Sequence, residues 1–140
     1  MIYLDTSAFL KLYIREVGSE EVQARVMAQD HPLPVWDVLE AEFINALRLK
    51  VFWNEITAEQ AEAQIALFQA RLRRGNYFVA EIRRGELMAT FRRLSGETGK
   101  LGCRTMDILH VACAVELRAA VFLSFDARQV ELARFAGLAV

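Results

Sequence analysis

The amino-acid sequence predicts an α/β protein, a three-layer sandwich in which helices cover a parallel sheet of short strands. Short apolar runs alternate with longer helical patterns along the whole chain, which is typical of such sheets. The 140 residues, of which 54% are hydrophobic, match the size of one ordinary domain that builds a core without disulfides or metals. No repeat or linker interrupts the chain, so we expect residues 1–140 to form a single domain.

In the first half of the chain, residues that favour helix starts follow the apolar runs. The tripeptide Asp-Thr-Ser at residues 5–7 directly follows the first apolar run, and such short polar side chains accept backbone hydrogen bonds at the start of a helix. Thr57 and Gln60 have the spacing of a capping box. The predicted elements are strands at residues 2–4 and 32–36, helices at residues 8–15 and 37–53, and helices that begin at Ser19 and Thr57.

The second half continues the alternation and ends in a short strand. Asp126 and Gln129 have the spacing of a second capping box, and Gly137 is placed to end the helix that they begin. Glycines at positions 96, 99 and 102 predict a loop. The predicted elements are a strand-like link at residues 76–82, helices at 86–94, 105–117 and 126–135, and strands at 120–125 and 138–140.

Acidic residues follow the predicted strands or begin the predicted helices. Asp5 and Asp126 directly follow strands, and Asp107 lies in the first turn of a helix. The acids from Asp37 to Glu42 follow the second strand. Sites in open parallel sheets form outside the carboxyl ends of the strands, so we expect these acids to meet at one edge. Each acid alone also has a structural interpretation, as a helix cap or as a first-turn acid.

The helix after the second strand carries two candidate acids. At about 100° per residue, Glu40 and Glu42 both fall in the broad apolar arc of this helix, so the helical wheel does not choose between them. A carboxylate on an apolar face is costly without a partner. We therefore expect one of the two to face the site.

The chemistry of a carboxylate cluster indicates a metal ion. Several carboxylates in one cleft raise each other's pKa values and destabilise the fold, because like charges repel. A divalent cation removes this cost, and oxygen ligands suit Mg²⁺ or Mn²⁺. Such ions activate water and stabilise the attacking and leaving oxygens in phosphodiester hydrolysis, so the pattern indicates a metal-dependent hydrolase.

Charge is distributed unevenly, although the formal net charge is only −1. The stretch from Arg71 to Arg104 contains nine basic and three acidic residues, a net of +6, whereas the stretch from Ser19 to Glu62 has a net of −6. This asymmetry predicts either a basic surface for an anionic partner or two solvated faces of opposite sign. If the first holds, we expect the basic stretch to contact the phosphates of a nucleic acid.

The cysteines and the N-terminus predict the compartment. Cys103 and Cys113 are too few for a disulfide framework and lack metal-ligand spacing. The chain reaches an acid at Asp5, so we expect no secretory leader, and no apolar run approaches the roughly 20 residues of a membrane span. We expect a cytoplasmic protein without membrane contact.

Four segments together resemble the PIN domain family, and most closely its VapC-type toxins from prokaryotic toxin–antitoxin pairs. Their order and spacing are similar to those of the family over essentially the whole chain. The segments are Asp-Thr-Ser at 5–7, Glu-Phe-Ile-Asn-Ala-Leu at 42–47, Arg-Thr-Met-Asp-Ile-Leu-His-Val-Ala at 104–112, and Phe-Leu-Ser-Phe-Asp at 122–126 followed by Gly-Leu-Ala-Val at 137–140.

The resemblance implies a Mg²⁺- or Mn²⁺-dependent endoribonuclease of three-layer α/β/α PIN-like fold. It implies RNA as the substrate, a cognate antitoxin as a partner, and a homodimer. It selects Glu42 over Glu40, and it matches Ser7 and Ser124 to positions that orient an acid or a water. The residues to which it assigns catalytic and metal-binding roles are Asp5, Glu42, Asp107 and Asp126.

Two alternatives to the toxin stay open. The first is a PIN-type nuclease that processes RNA without an antitoxin, which the absence of a small neighbouring reading frame would favour. The second is a non-hydrolytic Mg²⁺-binding α/β module such as a phospho-receiver. A receiver requires a lysine late in the chain, and the last lysine here is Lys100, which argues against it.

Four further side chains have two interpretations each. His110 is expected to be a core histidine that donates to a backbone carbonyl, with a place behind the acids as the alternative. Three aromatic residues belong either to the core or to a surface for a partner protein. They are Trp36, Phe52 and Trp53.

Overall fold

Four short parallel strands form the middle layer of the protein. The computed structural model describes all residues, 1–140. The strands are β1 (Ile2–Leu4), β2 (Leu33–Val35), β3 (Tyr77–Val79) and β4 (Val121–Leu123). The strands form two two-stranded parallel sheets, β1 with β4 and β2 with β3. β1 lies beside β2 without pairing to it, so the order across the layer is β3, β2, β1, β4. Ala139 adds one parallel bridge to Val121, where the sequence predicts the final strand.

Eight helices surround these strands. They are α1 (Thr6–Leu10), α2 (Ser19–Met27), α3 (Asp37–Phe52), α4 (Ala58–Arg73), α5 (Arg84–Ser95), α6 (Thr98–Leu101), α7 (Thr105–Glu116) and α8 (Ala127–Phe135). α3 packs against α1 and α4, whereas α7 packs against α5 and α8. With the strands, these helix groups form the three-layer α/β/α sandwich that the sequence predicts. None of the helices combines the length and apolar character needed to cross a membrane.

The first helix is shorter than the prediction of residues 8–15. It begins directly after Asp5, whose carboxylate accepts a hydrogen bond from the backbone N–H of Ala8, and it ends at Leu10. Beyond that point the N–H of Leu12 bonds the carbonyl three residues earlier, so the chain continues as tight turns. The predicted glycine loop at residues 96–102 also contains one short helix, α6.

The two predicted capping boxes have different outcomes. At the start of α4, the N–H of Gln60 donates to Thr57 Oγ1 and the N–H of Thr57 donates to Gln60 Oε1, so this prediction is confirmed. At the start of α8, Asp126 accepts from the N–H of Gln129, but the Gln129 side chain does not return the bond. The N–H of Asp126 donates to Ser124 Oγ instead, and the Gln129 side chain turns to Asp107, to which its Nε2 donates.

Aromatic side chains fill much of the core. Tyr3 of β1 stacks on Phe122 of β4 with ring centroids 5.6 Å apart, and both are fully buried. Burial of a side chain of this size contributes about 1.5–3 kcal/mol, so the strand that precedes Asp5 is firmly anchored. A second cluster surrounds Phe9 and consists of Tyr13, Phe43, Phe68 and Tyr77.

The remaining aromatic and cysteine side chains divide between core and surface. Trp36 is buried, whereas Phe52 and Trp53 at the end of α3 are 78% and 56% exposed. Cys103 and Cys113 are both buried and unpaired. Burial raises the pKa of Cys113 to about 12, which leaves its thiol protonated and unreactive.

Candidate active site

An open cavity of about 710 Å³ lies where β1 and β4 end. The N-terminal ends of α1, α7 and α8 reach it, together with one side of α3. Asp37 and Glu40 do not line it, so Glu42 is the acid of α3 that the fold brings to the others. The acids that line the cavity are Asp5, Glu42, Asp107 and Asp126.

Asp5 is buried and held on both carboxylate oxygens. Oδ1 accepts from the N–H of Ala8 at 2.9 Å and from the Ser7 hydroxyl at 2.8 Å, and Oδ2 accepts from the Ser124 hydroxyl at 2.8 Å. Burial raises the pKa of this carboxyl, although the hydrogen bonds from Ala8 and the two serines oppose the shift. Asp5 therefore caps α1 and faces the cavity, and Ser7 and Ser124 orient it.

Asp107 is held by a cation and by an amide. The backbone N–H and Nε of Arg104 donate to Oδ2 at 2.7 and 3.1 Å, and Nη2 of Arg104 donates to Oδ1 at 3.2 Å. Gln129 donates its Nε2 to the same Oδ1 at 3.3 Å. These bonds fix the carboxylate in the first turn of α7, where it is only 2% exposed.

Asp126 serves both as a helix cap and as part of the cavity wall. Its Oδ1 accepts from the N–H groups of Arg128 at 2.8 Å and Gln129 at 3.4 Å. Its Oδ2 accepts from Arg104 Nη2 at 3.4 Å. Burial acts to raise the pKa of Asp126, but the two backbone N–H groups outweigh it and lower the pKa.

Glu42 ends a hydrogen-bond chain that begins in the core. Its Oε2 accepts from Thr6 Oγ1 and contacts His110 Nε2, both at 2.6 Å. His110 Nδ1 lies 2.8 Å from the hydroxyl of Tyr3, which accepts from the indole N–H of Trp36 at 2.7 Å. When Tyr3 donates to Nδ1, neutral His110 carries its proton on Nε2, directed at Glu42. Burial acts to raise the pKa of Glu42, but the bonds from His110 and Thr6 lower it.

The structure corrects the expected role of His110. The ring is buried, as predicted, but its nitrogens contact Tyr3, Thr6 and Glu42 rather than a backbone carbonyl. The alternative, a place behind the acids, is the one that the structure supports. Its position three residues after Asp107, on the same face of a helix, was the available signal.

Three other residues of the site were not singled out from the sequence. Thr6 lies inside the first motif, and Arg104 begins the motif that contains Asp107, so their proximity to the acids follows from local spacing. Gln129 was assigned to a capping box, and its contact with Asp107 required knowledge of how α7 and α8 pack.

The lining of the cavity suits a hard divalent cation. Gln129 is only 6% exposed and its Oε1 has no hydrogen-bond partner, so an unsatisfied oxygen adds to the carboxylates of the wall. Mg²⁺ and Mn²⁺ prefer such oxygen ligands. No group of three or more His, Cys, Asp or Glu side chains is arranged to hold an ion, and the guanidinium of Arg104 bridges Asp107 and Asp126. The chemistry of these donor atoms suits a hard cation, whereas the acids as placed do not form a closed set of ligands.

Comparisons with known proteins agree with this architecture. The PIN domain model matches residues 2–135. A similar solved structure is that of Mycobacterium tuberculosis VapC20, described as a toxin that cleaves the sarcin-ricin loop. It has a TM-score of 0.69 and 12% sequence identity over 94% of each chain, a likeness that concerns the fold. No curated protein sequence matches the chain.

Proposed function

This chain belongs to the PIN domain family, and from that premise we propose that it is a single-domain, metal-dependent endoribonuclease. The observation that carries the proposal is the meeting of four acids from distant parts of the sequence in one cavity. Buried carboxylates cost free energy unless a cation compensates them. The proposed reaction is the hydrolysis of RNA phosphodiester bonds.

We assign direct metal contacts to Asp5 and Asp107, the two most deeply buried acids of the cavity, with Glu42 and Asp126 completing the site. A bound Mg²⁺ or Mn²⁺ supplies an activated water and stabilises charge on the reacting oxygens. Oxygen ligands of this kind are common to both ions, so the same residues serve either.

The remaining polar residues position the acids. Ser7 and Ser124 hold Asp5 through both of its oxygens. His110 and Thr6 both bind Oε2 of Glu42, which leaves Oε1 to face a metal ion or a water in the cavity. The lowered pKa keeps Glu42 ionised at neutral pH, which suits a metal-binding carboxylate, whereas a general base works best with a pKa near the working pH.

We further propose that the nuclease is the toxin of a toxin–antitoxin pair and forms a homodimer. Its fold resembles that of VapC20, which is described as a toxin. Phe52 and Trp53 are adjacent aromatic residues at the end of α3 that are 78% and 56% exposed, and aromatic residues are enriched at protein interfaces. If a small reading frame neighbours the gene, its co-expression should relieve growth arrest caused by this chain. Arrest without relief would favour an RNA-processing nuclease.

The nuclease proposal is tested by cleavage of cellular RNA with the purified chain in Mg²⁺ or Mn²⁺, followed by mapping of the RNA ends. Asp107→Asn should reduce cleavage by about 100-fold or more, because even residues that support a metal ligand are typically worth 10–100-fold. Asp37→Asn, an exposed acid outside the cavity, is the matched control and should cleave normally. Full cleavage by Asp107→Asn would refute the site, and metal binding without any cleavage would favour a non-hydrolytic module.

A further inference from the structure

Arg104 reaches from the protein surface into the cavity and contacts two of its acids. Its side chain is 66% exposed. Its guanidinium donates to both oxygens of Asp107, at 3.1 and 3.2 Å, and to Oδ2 of Asp126 at 3.4 Å. The backbone N–H of Arg104 separately donates to Asp107 at 2.7 Å, so the helix start keeps that bond even without the guanidinium.

The guanidinium and a metal ion compete for the same atoms. The lone pairs of Asp107 and Asp126 that accept its N–H groups are those an ion would use, and two cations at one place repel each other. Arginine also compensates the buried charge of Asp107, which would otherwise be costly. Arg104 therefore has the electrostatic role of a metal ion, supplied by the chain itself.

The buried amide beside this pair has a side-chain oxygen that no protein group hydrogen-bonds. Gln129 donates Nε2 to Asp107, while its Oε1, in a residue only 6% exposed, has no partner. A buried polar atom without a partner is unfavourable. An ion, or a water bound to one, would provide the missing partner for Oε1. Arg104 therefore offsets only one of the two negative charges on Asp107 and Asp126, and Oε1 of Gln129 has no partner.

We propose that Arg104 is an exchangeable counter-cation that competes with the metal for Asp107 and Asp126 and, once displaced, binds a phosphate of the RNA. This inference rests on the proposed function and adds a regulatory step to it. A guanidinium that fits a carboxylate bidentately fits a phosphate equally well. RNA gives the displaced arginine a new partner, so metal and RNA strengthen each other's binding by the same factor.

The test is a calorimetric titration of Mn²⁺ into wild type, Arg104→Gln and Arg25→Gln. The last variant is a matched control, because it removes the same charge from α2, away from the cavity. Arg104→Gln should bind Mn²⁺ about tenfold more tightly than wild type, a typical size for coupling between sites, and Arg25→Gln should match wild type. Equal or weaker Mn²⁺ binding by Arg104→Gln would overturn the proposal.

A second titration measures the coupling to RNA. An RNA oligonucleotide with 2′-O-methyl groups that block cleavage should tighten Mn²⁺ binding to wild type about tenfold but leave Arg104→Gln nearly unchanged. Equal coupling in the two proteins would show that Arg104 does not transfer to phosphate. If Arg104→Gln fails to fold, Arg104→Met gives the same comparison, since methionine keeps a long side chain but removes the charge and the N–H donors. Wild-type Mn²⁺ affinity in Arg104→Met would then refute the exchange.

The failure of this inference is distinct from that of the proposed function. A wild-type chain that binds Mn²⁺ and cleaves RNA, beside an Arg104→Gln variant of unchanged affinity, contradicts only the role of Arg104. A wild-type chain that neither binds Mn²⁺ nor cleaves RNA contradicts both.

Discussion

At the scale of single residues, the acids of the cavity differ in how the fold treats their charge. Asp5 is the acid whose pKa burial raises, despite its hydrogen bonds to Ala8 and two serines. Glu42 and Asp126 are more exposed, and their hydrogen bonds lower their pKa values. The charge on Asp5 therefore opposes folding in the absence of metal, whereas the charges on the other two acids favour it.

The variant Asp5→Asn should be more stable than wild type in the absence of metal, by about 1 kcal/mol, the usual size of a single-residue effect. Because the folded-state pKa of Asp5 is raised above the ordinary 3.8, wild type loses stability as pH rises above that value, and the variant does not. The stability difference should therefore grow with pH until Asp5 is fully ionised. Urea unfolding in a chelator at several pH values measures this difference, and a difference independent of pH would contradict the prediction.

At the scale of elements, the site depends on where helices begin. Asp5, Asp107 and Asp126 lie at or within one turn of the starts of α1, α7 and α8. The positive end of a helix dipole favours a carboxylate there, so the capping interpretation and the site interpretation describe the same residues. Glu42 is different, because it lies on the side of α3 and takes its support from His110.

The two roles of Asp126 can be separated by a pair of variants. Asp126→Asn should keep stability within about 0.5 kcal/mol of wild type, because Asn also caps helices well, whereas Asp126→Ala should lose about 1 kcal/mol. Both should cleave RNA less well than wild type, but Asp126→Asn should lose less than Asp107→Asn. Thermal unfolding and cleavage rates measured on the same preparations test this. Equal stability of the Asn and Ala variants would show that the cap contributes little.

At the scale of the whole molecule, the basic residues of the stretch from Arg71 to Arg104 do not share one surface, because the fold places them in different surroundings. Arg71 is half-buried, with its guanidinium carbon 4.9 Å from the centre of the Tyr13 ring, and Arg104 points into the cavity. Arg83 is 85% exposed and pairs only with Glu86. The expectation that this stretch contacts phosphates along the surface therefore applies to its exposed arginines such as Arg83, whereas Arg104 would reach a phosphate only after it leaves Asp107 and Asp126.

The double variant Arg83→Ala with Arg84→Ala should bind RNA more weakly than wild type and with a flatter salt dependence, while Mn²⁺ binding stays unchanged. The loss of two contacts to single-stranded phosphates should reduce the slope of log affinity against log salt by about 1.4, at roughly 0.7 per contact. Arg15→Ala with Arg25→Ala removes the same charge from the acidic half of the chain and is the control. If both double variants lower the slope equally, net charge alone explains the effect and a phosphate track is excluded.

Much of the fold and part of the site could be predicted because they depend on local patterns. The strand and helix alternation, the start of α8 and the Thr57 capping box follow from residues within a few positions of one another. The positions of Asp5, Asp107 and Asp126 at helix starts could be predicted from the same local patterns. The pattern also misled in one place: Gln129 has capping-box spacing, but its side chain binds Asp107. Local spacing could not show a competing partner 22 positions earlier in the chain.

By itself, the sequence determined the layered α/β architecture and placed acids after the strands, because hydrophobic period and capping chemistry act over a few residues. The residue pattern left Glu40 and Glu42 open and the resemblance selected Glu42, but only the tertiary structure gave the physical reason, because it brings Glu42 and not Glu40 to the cavity. Only the tertiary structure joined Ser124 to Asp5 across 119 positions and brought Arg104 to two acids. The helical wheel of α3 leaves both glutamates on one apolar arc, and which of them joins the site depends on the residues that each one contacts. The packing of β1, α3, α7 and α8 sets these contacts. Because these elements are distant in sequence, their contacts form only when the whole chain has folded.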